Sequence, residues 1–387
     1  VDRIYLDHNA TTPLDPRVLE AMLPVLREGF GNPSSLHWYG QQARALLDEA
    51  RAQVARLINA APSEVVFTAS GTEADNMALR GAVAMAPEGR RGIVHSAVEH
   101  HAVLNTARAL GEEGAAVAVA RVGPDGVVDM DDLRSKVDER TAVVAVMRAN
   151  NETGVVQPVE EAARIARARG ALVHCDAVQA AGKIPLDVKS LDVDTLALSA
   201  HKFYGPKGVG VLFVRRGTRL KPWVRGGSQE RNRRAGTENV AGIVGMGRAA
   251  ALAKEDLAGE APRLERLRDD LEARLLRIAG ARRNGDGPRV PNTANVSFEG
   301  IEAESLLMAL DLAGIAVSTG AACAAGAVEP SHVLRGMGLA PERVQGSIRL
   351  SLGRSTTEDA VARAADAIAA AVAKQRSVIR QFKGVRA

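Results

Sequence analysis

The sequence predicts an α/β protein, with a mostly parallel seven-stranded sheet between helices, joined to a smaller α+β unit. Two observations carry this. Short β-branched runs alternate with Ala-rich amphipathic runs through the first half of the chain, and those strands are continuously apolar, as strands covered on both faces are. After about residue 240 the texture changes to a long helical region followed by isolated strands and helices.

The expected strands of the sheet are 64–68, 92–96, 116–120, 142–147, 171–175, 195–199 and 208–214, with helical stretches at 72–86, 101–113 and 159–169 among them. The last two strands are joined only by "AHKFYGPK", too short for a parallel crossover, so one of them should run antiparallel. The second unit opens with a helical region from 241 to 280, expected to break at Pro262. Then come a strand at 292–300, a helix at 302–313, a strand at 346–353 and a closing helix at 356–376, capped by Thr356 or Thr357. The expected division is a large domain over 15–255 and a small domain made of 1–14 and 256–387.

Composition narrows the function. The 387 residues are 46% hydrophobic and 25% charged, with a net charge of +4, so the chain can bury a sizeable core. Its Arg residues are interleaved with Asp and Glu, as in "RLERLRDDLEARLLR", which reads as a solvated helix face and not a nucleic-acid surface. No apolar run is long enough for a membrane span, and the N-terminus lacks the pattern of a secretory signal, so a cytoplasmic protein is expected. Two cysteines do not make a disulfide scaffold. Cys175 ends an apolar strand and should pack in the core. Cys323 sits in the Ala/Gly stretch "STGAACAAGA", which suits a moving loop.

In open α/β sheets ligands bind beyond the carboxyl ends of the strands. Polar residues follow five of the expected strands. Ser70 and Glu73 form a capping box, so a helix starts there, and Gly71 and Thr72 at its first turn make a phosphate site. Glu99, His100 and His101 follow the second strand, Asn150 and Asn151 the fourth, Asp176 and Gln179 the fifth, and Ser199, His201 and Lys202 the sixth. Singly, each reads as a cap or turn former; five in succession do not. Lys202 at the rim of a buried strand suits a Schiff base. Pyridoxal phosphate needs such a lysine, a carboxylate for its ring nitrogen and an anion site for its phosphate. Lys202, Asp176 and the helix start at Gly71 and Thr72 offer one of each.

At this point a family resemblance covers nearly the whole chain. "YLDHNATTPLDPRV" (5–18), "SGTEADN" (70–76), "EHHAVL" (99–104), "HCDAVQAAGKIPLDV" (174–188), "SAHKFYGPKGVG" (199–210), "GGSQERNRRAGTENV" (226–240), "STGAACAAGAVEPSHVLRGMGL" (318–339) and "SIRLSLGR" (347–354) occur in order. The chain resembles fold-type I pyridoxal-phosphate enzymes of the class V aminotransferase family. Within them it looks like the cysteine desulfurases of the NifS/IscS type with a long active-site loop.

The resemblance implies that Lys202 binds the cofactor as a Schiff base, Asp176 pairs with its ring nitrogen, and His100 stacks on the ring and carries protons. Gln179 is expected on the ring hydroxyl and Asn151 beside the ring and substrate. Gly71, Thr72, Ser199 and His201 would hold the phosphate. Thr237 would reach the cofactor of a second subunit, making a homodimer. Arg349 and Asn32 would hold the carboxylate of L-cysteine. Lys202 would take the α-proton, and Cys323 would accept sulfur as a persulfide, leaving alanine. The sulfur would pass to an iron–sulfur scaffold or a thiolation factor, and no metal is implied. The alternative is a selenocysteine lyase or another C–S or C–Se lyase, which would not need Cys323. Two departures stand out: Ala200, where the family often has Gly, and "AAGAVEPS" after Cys323, where relatives often carry hydroxyl residues.

Overall fold

The computed structural model describes residues 3–319 and 330–384. A short strand β1 (Ile4–Tyr5) opens the described chain. The next seven strands are β2 (Val65–Thr68), β3 (Gly92–Ser96), β4 (Val117–Ala120), β5 (Thr141–Ala145), β6 (Leu172–Asp176), β7 (Thr195–Ser199) and β8 (Gly210–Val214). They form one sheet in the order β2-β8-β7-β6-β5-β3-β4. Every pair is parallel except those of β8, which runs antiparallel to both β2 and β7. The ten-residue link carrying Lys202, 200–209, thus joins an antiparallel pair, as its shortness requires.

Strands β2, β7 and β8 feed two cores by alternation, as β3 does at Ile93 and Val94, while the edge strand β4 leaves Val117 and Val119 exposed. Val65, Phe67, Val94, Leu196, Leu198, Val211 and Phe213 enter one, while Val66, Ile93, Ala197, Leu212 and Val214 enter the other. This is the period of two expected for a pleated strand with helices on both faces. Cys175 lies in the first core with no exposure.

A helix of 36 residues, Val240–Leu275, leads out of this unit. The expected break at Pro262 does not occur. A proline inside a helix removes one ladder donor and costs about 3 kcal/mol. Here it falls between two anchored halves. Ile243, Met246, Ala249 and Ala250 pack in the sheet's core, whereas Leu264, Leu267, Leu271 and Leu275 pack in a separate one. Burial at both ends keeps the helix continuous through the defect.

That separate core surrounds β9 (Ala281–Arg283), β10 (Thr293–Phe298), β11 (Ile315–Ala316) and β12 (Ser347–Ser351). β12, β10 and β9 form an antiparallel sheet, and β11 pairs in parallel with β1. The helices Ala303–Leu312 and Glu358–Gly384 cover it. Of the two candidate caps, Thr357 is the one used: its hydroxyl accepts from Ala360 N–H at 3.1 Å, while Thr356 accepts from Gly353 N–H at 3.0 Å. Asp7 bridges to Ser351, so the chain's first strand is stitched into this unit before the backbone passes to the large sheet.

Candidate active site

A cavity of about 460 Å³ opens at the carboxyl ends of the parallel strands. Its walls include Gly71, Thr72, His100, Asn151, Asp176, Gln179, Ser199, His201, Lys202 and Arg349. Ten of the residues expected at the site are therefore brought together.

The helix Gly71–Met85 points its first turn into the cavity. Ser70 Oγ accepts from Glu73 N–H at 3.0 Å, and the Glu73 carboxylate accepts in return from Ala69 N–H at 2.6 Å. The box is thus closed one residue earlier than its sequence suggests. A Cβ built on Gly71 would lie 2.8 Å from Val178 Cγ2 and 3.4 Å from Ser199 Cβ, so only glycine leaves this corner open.

Lys202 sits on the short helical turn Ala200–Lys202 that follows β7. Its Nζ donates to the carbonyls of Asn9 at 2.6 Å and Ala10 at 2.7 Å. Burial, and then the charge of Arg349, bring its pKa down to about 8, against the pull of Asp176. A neutral amine is thus within easy reach near neutral pH.

Asp176 ends β6 and accepts from Val178 N–H at 2.9 Å. Burial raises its pKa to about 6, opposed by that hydrogen bond and by the charge of Lys202. A cationic ring nitrogen would favour its ionised form further. His100 caps the helix His101–Glu112, its Nδ1 accepting from Ala102 N–H at 3.1 Å. Its face is open to the cavity, yet the enclosing protein, with the charges of Lys202, His101 and His332, holds its pKa at about 4. The neutral ring therefore carries its proton on Nε2. His201 Nδ1 lies 3.1 Å from Thr11 Oγ1, and burial first, then Lys202 and Lys207, hold that ring at about 4.

Arg349, on β12, donates Nη2 to Asp7 at 2.7 Å and Nη1 to the Asn151 carbonyl at 3.0 Å. Its buried Nε has no hydrogen-bond partner among the described residues. The guanidinium thus already binds one carboxylate and has capacity left over.

Several contributors escaped the sequence reading. Asp75 lies beneath Asp176, with the nearest polar atoms of Asp75, His100 and Asp176 all within 4.8 Å of one another. Burial, then the charges of Asp176 and Glu99, push Asp75 well up. That favours its protonated form; its carboxyl lies 3.1 Å from His174 Nε2, and His174 Nδ1 meets Thr195 Oγ1 at 2.9 Å. Asp176 is then left as the carboxylate of the pair that ionises. Asn9 is the second such contributor. Its backbone and side chain contact Ser351, Asn151, Thr293, Gln179, Lys183, Lys202 and Asn292. The motif containing it was visible, but its contacts lie far away in the sequence.

Among the described residues, two expected ones, Asn32 and Thr237, are not in the cavity of this chain. Asn32 is exposed, and its carboxamide oxygen accepts from Ser34 N–H at 2.9 Å, a local turn that commits it elsewhere. The substrate-carboxylate role expected of it is not met within one chain. Thr237 lines a separate cleft with Phe67, Thr68, Glu230 and Arg234. Cys323 lies outside the described residues; Ser318 before it and His332 after it both line the cavity.

The aminotransferase class-V family model matches residues 4–363. A cysteine desulfurase of Trichormus azollae is 48% identical over 97% of this chain and 94% of its own length. The cysteine desulfurase NifS of Azotobacter vinelandii is 46% identical over 98% of this chain and 95% of its own. A solved NifS-like protein superposes with a TM-score of 0.90 at 40% identity, covering 96% of this chain and 99% of that one. The chain belongs to the cysteine desulfurases of the class-V aminotransferase family.

That family depends on pyridoxal phosphate, and the cavity of this cysteine desulfurase fits the group. The corner at Gly71 would be filled by a Cβ, the amine of Lys202 is held near neutrality, and Asp176 is an anion able to meet a cationic ring. A test follows from Lys202. Only the neutral amine attacks an aldehyde, so reconstitution of the apoenzyme with pyridoxal phosphate should quicken about tenfold per pH unit below the pKa. The rate should level off above pH of about 8. A rate that keeps climbing to about pH 10, as for an ordinary lysine, would contradict the assigned environment.

Proposed function

We propose that this cysteine desulfurase takes sulfur from L-cysteine and carries it as a persulfide on Cys323. The observation that supports this most directly is the half-buried Lys202 amine, with a pKa of about 8, sharing one cavity with Asp176 and Arg349. Lys202 would hold pyridoxal phosphate covalently. Asp176, His100 and Gln179 would hold its ring, and Gly71, Thr72, Ser199 and His201 its phosphate. When bound, the cofactor supplies an electron sink that lets the α-proton leave and weakens the carbon–sulfur bond.

The chain's own residues do the rest. Arg349 binds the substrate carboxylate, a role supported by its contact with Asp7 and its spare Nε–H. Asn151, fixed through its carbonyl by Arg349 and Asn9, lies beside the substrate. Lys202 Nζ, as the neutral amine, accepts the α-proton. His100, neutral with Nε2–H, donates within the cavity. The Cys323 thiolate attacks the substrate sulfur. A sulfur–sulfur bond forms as the Cβ–S bond breaks, and the bonding pair and a proton pass to Cβ, giving alanine. The cavity walls at Ser318 and His332, on either side of Cys323 in the sequence, support its access.

The same reading includes a homodimer, with Thr237 of the partner subunit completing the phosphate site. Phe30, Leu36, Trp38 and Tyr39 flank Asn32 and are 79%, 91%, 65% and 49% exposed, which supports a covered surface there. It also includes an iron–sulfur scaffold or thiolation factor as acceptor and a reducing, cytoplasmic setting, in which thiols persist. The large domain is 15–255, and the small domain is 1–14 with 256–387.

Mass spectrometry after incubation with L-cysteine tests the central claim. The peptide carrying Cys323 should gain one sulfur, and Cys323→Ser should stop alanine release. Wild-type alanine release by Cys323→Ser would replace this reading with the lyase alternative.

A further inference from the structure

Lys183 carries no role in the reading above. It is 7% exposed and stands four residues beyond Gln179, in the run of turns that follows β6. Its Nζ donates to Gln179 Oε1 at 2.6 Å and to Asn9 Oδ1 at 2.9 Å. Gln179 Nε2, in turn, donates to the Asn9 carbonyl at 2.9 Å. Gln179 is 4% exposed and Asn9 is 1% exposed, so no solvent competes for these groups.

We propose that Lys183 is a positioning residue that locks the Gln179 carboxamide, so that the polar group Gln179 has left for the cavity is an N–H donor. The argument is one of valence. A primary amide has two acceptor sites on oxygen and two hydrogens on nitrogen. Here Lys183 fills one site on the oxygen and the Asn9 carbonyl takes one hydrogen, which fixes the nitrogen and oxygen ends and leaves a second N–H available to the cavity that Gln179 lines. Amide orientation is ordinarily ambiguous. In this case a flip would set Gln179 Oε1 against the Asn9 carbonyl, two acceptors facing, and Nε2 against the Lys183 ammonium, two donors facing. Lys183 and the Asn9 carbonyl thus oppose the flip from the two ends of the amide, and removing Lys183 leaves one of the two restraints.

Asn9 cannot turn to relieve the conflict. Its Nδ2 donates to the Asn151 carbonyl at 3.2 Å and Thr293 Oγ1 at 2.9 Å, while its Oδ1 also accepts from Asn292 at 3.2 Å. The lock therefore runs from the small sheet through Asn9 and Lys183 to Gln179. This inference rests on the proposed placement of the cofactor's ring hydroxyl beside Gln179. An N–H donor there stabilises the ionised oxygen, whereas a flipped amide would repel it.

The test uses the full-length holoenzyme and four proteins: wild type, Lys183→Met, Gln179→Leu and the double variant. The readouts are the cofactor's visible absorption maximum and its dissociation constant. Lys183→Met should shift the band and weaken cofactor binding about tenfold, the equivalent of one hydrogen bond to a charged group. Gln179→Leu should do the same, and the double variant should match Gln179→Leu, because Lys183 acts only through that amide. A Lys183→Met enzyme with wild-type band and affinity would overturn the proposal. So would a further shift when Lys183→Met is added to Gln179→Leu. A crystal structure of the wild-type holoenzyme needs no variant to fold: it should keep Lys183 Nζ within hydrogen-bond distance of Gln179, and a Gln179 side chain turned away from Lys183 would overturn the lock. A wild-type enzyme with no visible band would remove the cofactor reading itself, an outcome distinct from a normal band indifferent to Lys183.

Discussion

On the proposed reading, Lys202→Ala should lower alanine release from L-cysteine by at least about 10⁴-fold, since Lys202 would be both the covalent anchor and the general base. No neighbour can take over. His100 is held neutral with a pKa of about 4, which makes it a weak base at pH 7. Lys183 is the other amine nearby, but its Nζ is committed to Asn9 and Gln179. Lys202→Arg should fail as completely, because a guanidinium stays protonated and does not form a Schiff base. The check is twofold: alanine release over time, and the visible band after reconstitution. Both should be lost in each variant. Alanine release at even a hundredth of the wild-type rate would place the base elsewhere.

Arg51→Met should destabilise the folded protein by about 3–5 kcal/mol, the usual penalty for orphaning one partner of a buried ion pair. Arg51 and Glu230 meet through two hydrogen bonds of 2.7 Å, with side chains 4% and 3% exposed. Arg51 also donates to the Val65 carbonyl at 2.8 Å and stacks 4.8 Å over the Phe67 ring, while Phe67 N–H donates to Glu230 at 3.0 Å. Every contact converges on β2.

The pair also holds an unusual backbone. Glu230, Arg231 and Asn232 all have positive φ, at 47°, 57° and 63°. Non-glycine residues resist this region, so the conformation persists only where the surroundings impose it. Glu230→Leu alone should destabilise comparably, whereas the double variant Arg51→Met/Glu230→Leu should recover a substantial part, since no buried charge is then left unpaired. Denaturant unfolding of the three variants measures this. Singles within about 1 kcal/mol of wild type would mean the pair contributes little.

The outline of the fold was legible because it rests on periodicity. All seven strands of the large sheet fall where continuous apolar runs end in polar turns, and the short "AHKFYGPK" link reports the antiparallel β8. The strands β1, β9 and β11 span only two or three residues, too few for any pattern to emerge. Pro262 misled because local rules do not include the two cores that clamp the helix on either side of it.

The site was legible wherever a residue follows its own strand, as Asp176 and Lys202 do. Asp75, Asn9 and Lys183 were missed because each acts through partners remote in sequence: Asp75 on His174, Asn9 on Thr293, and Lys183 on Asn9. Asn32 illustrates the reverse. Its motif was clear, but within one chain its side chain closes a turn of its own.

The route of the first dozen residues has a consequence for the order of events on the ribosome. Thr293 and Ser351, which seat Asn9, are made 284 and 342 residues after it. At ordinary translation rates the delay is on the order of tens of seconds. The large sheet has all its strands in hand well before then, while the amine of Lys202 still lacks the Asn9 and Ala10 carbonyls that receive it. A nascent chain stalled before β12 would therefore carry Lys202 without its mature setting, and on the proposed reading would trap the cofactor only once β10 and β12 have come home.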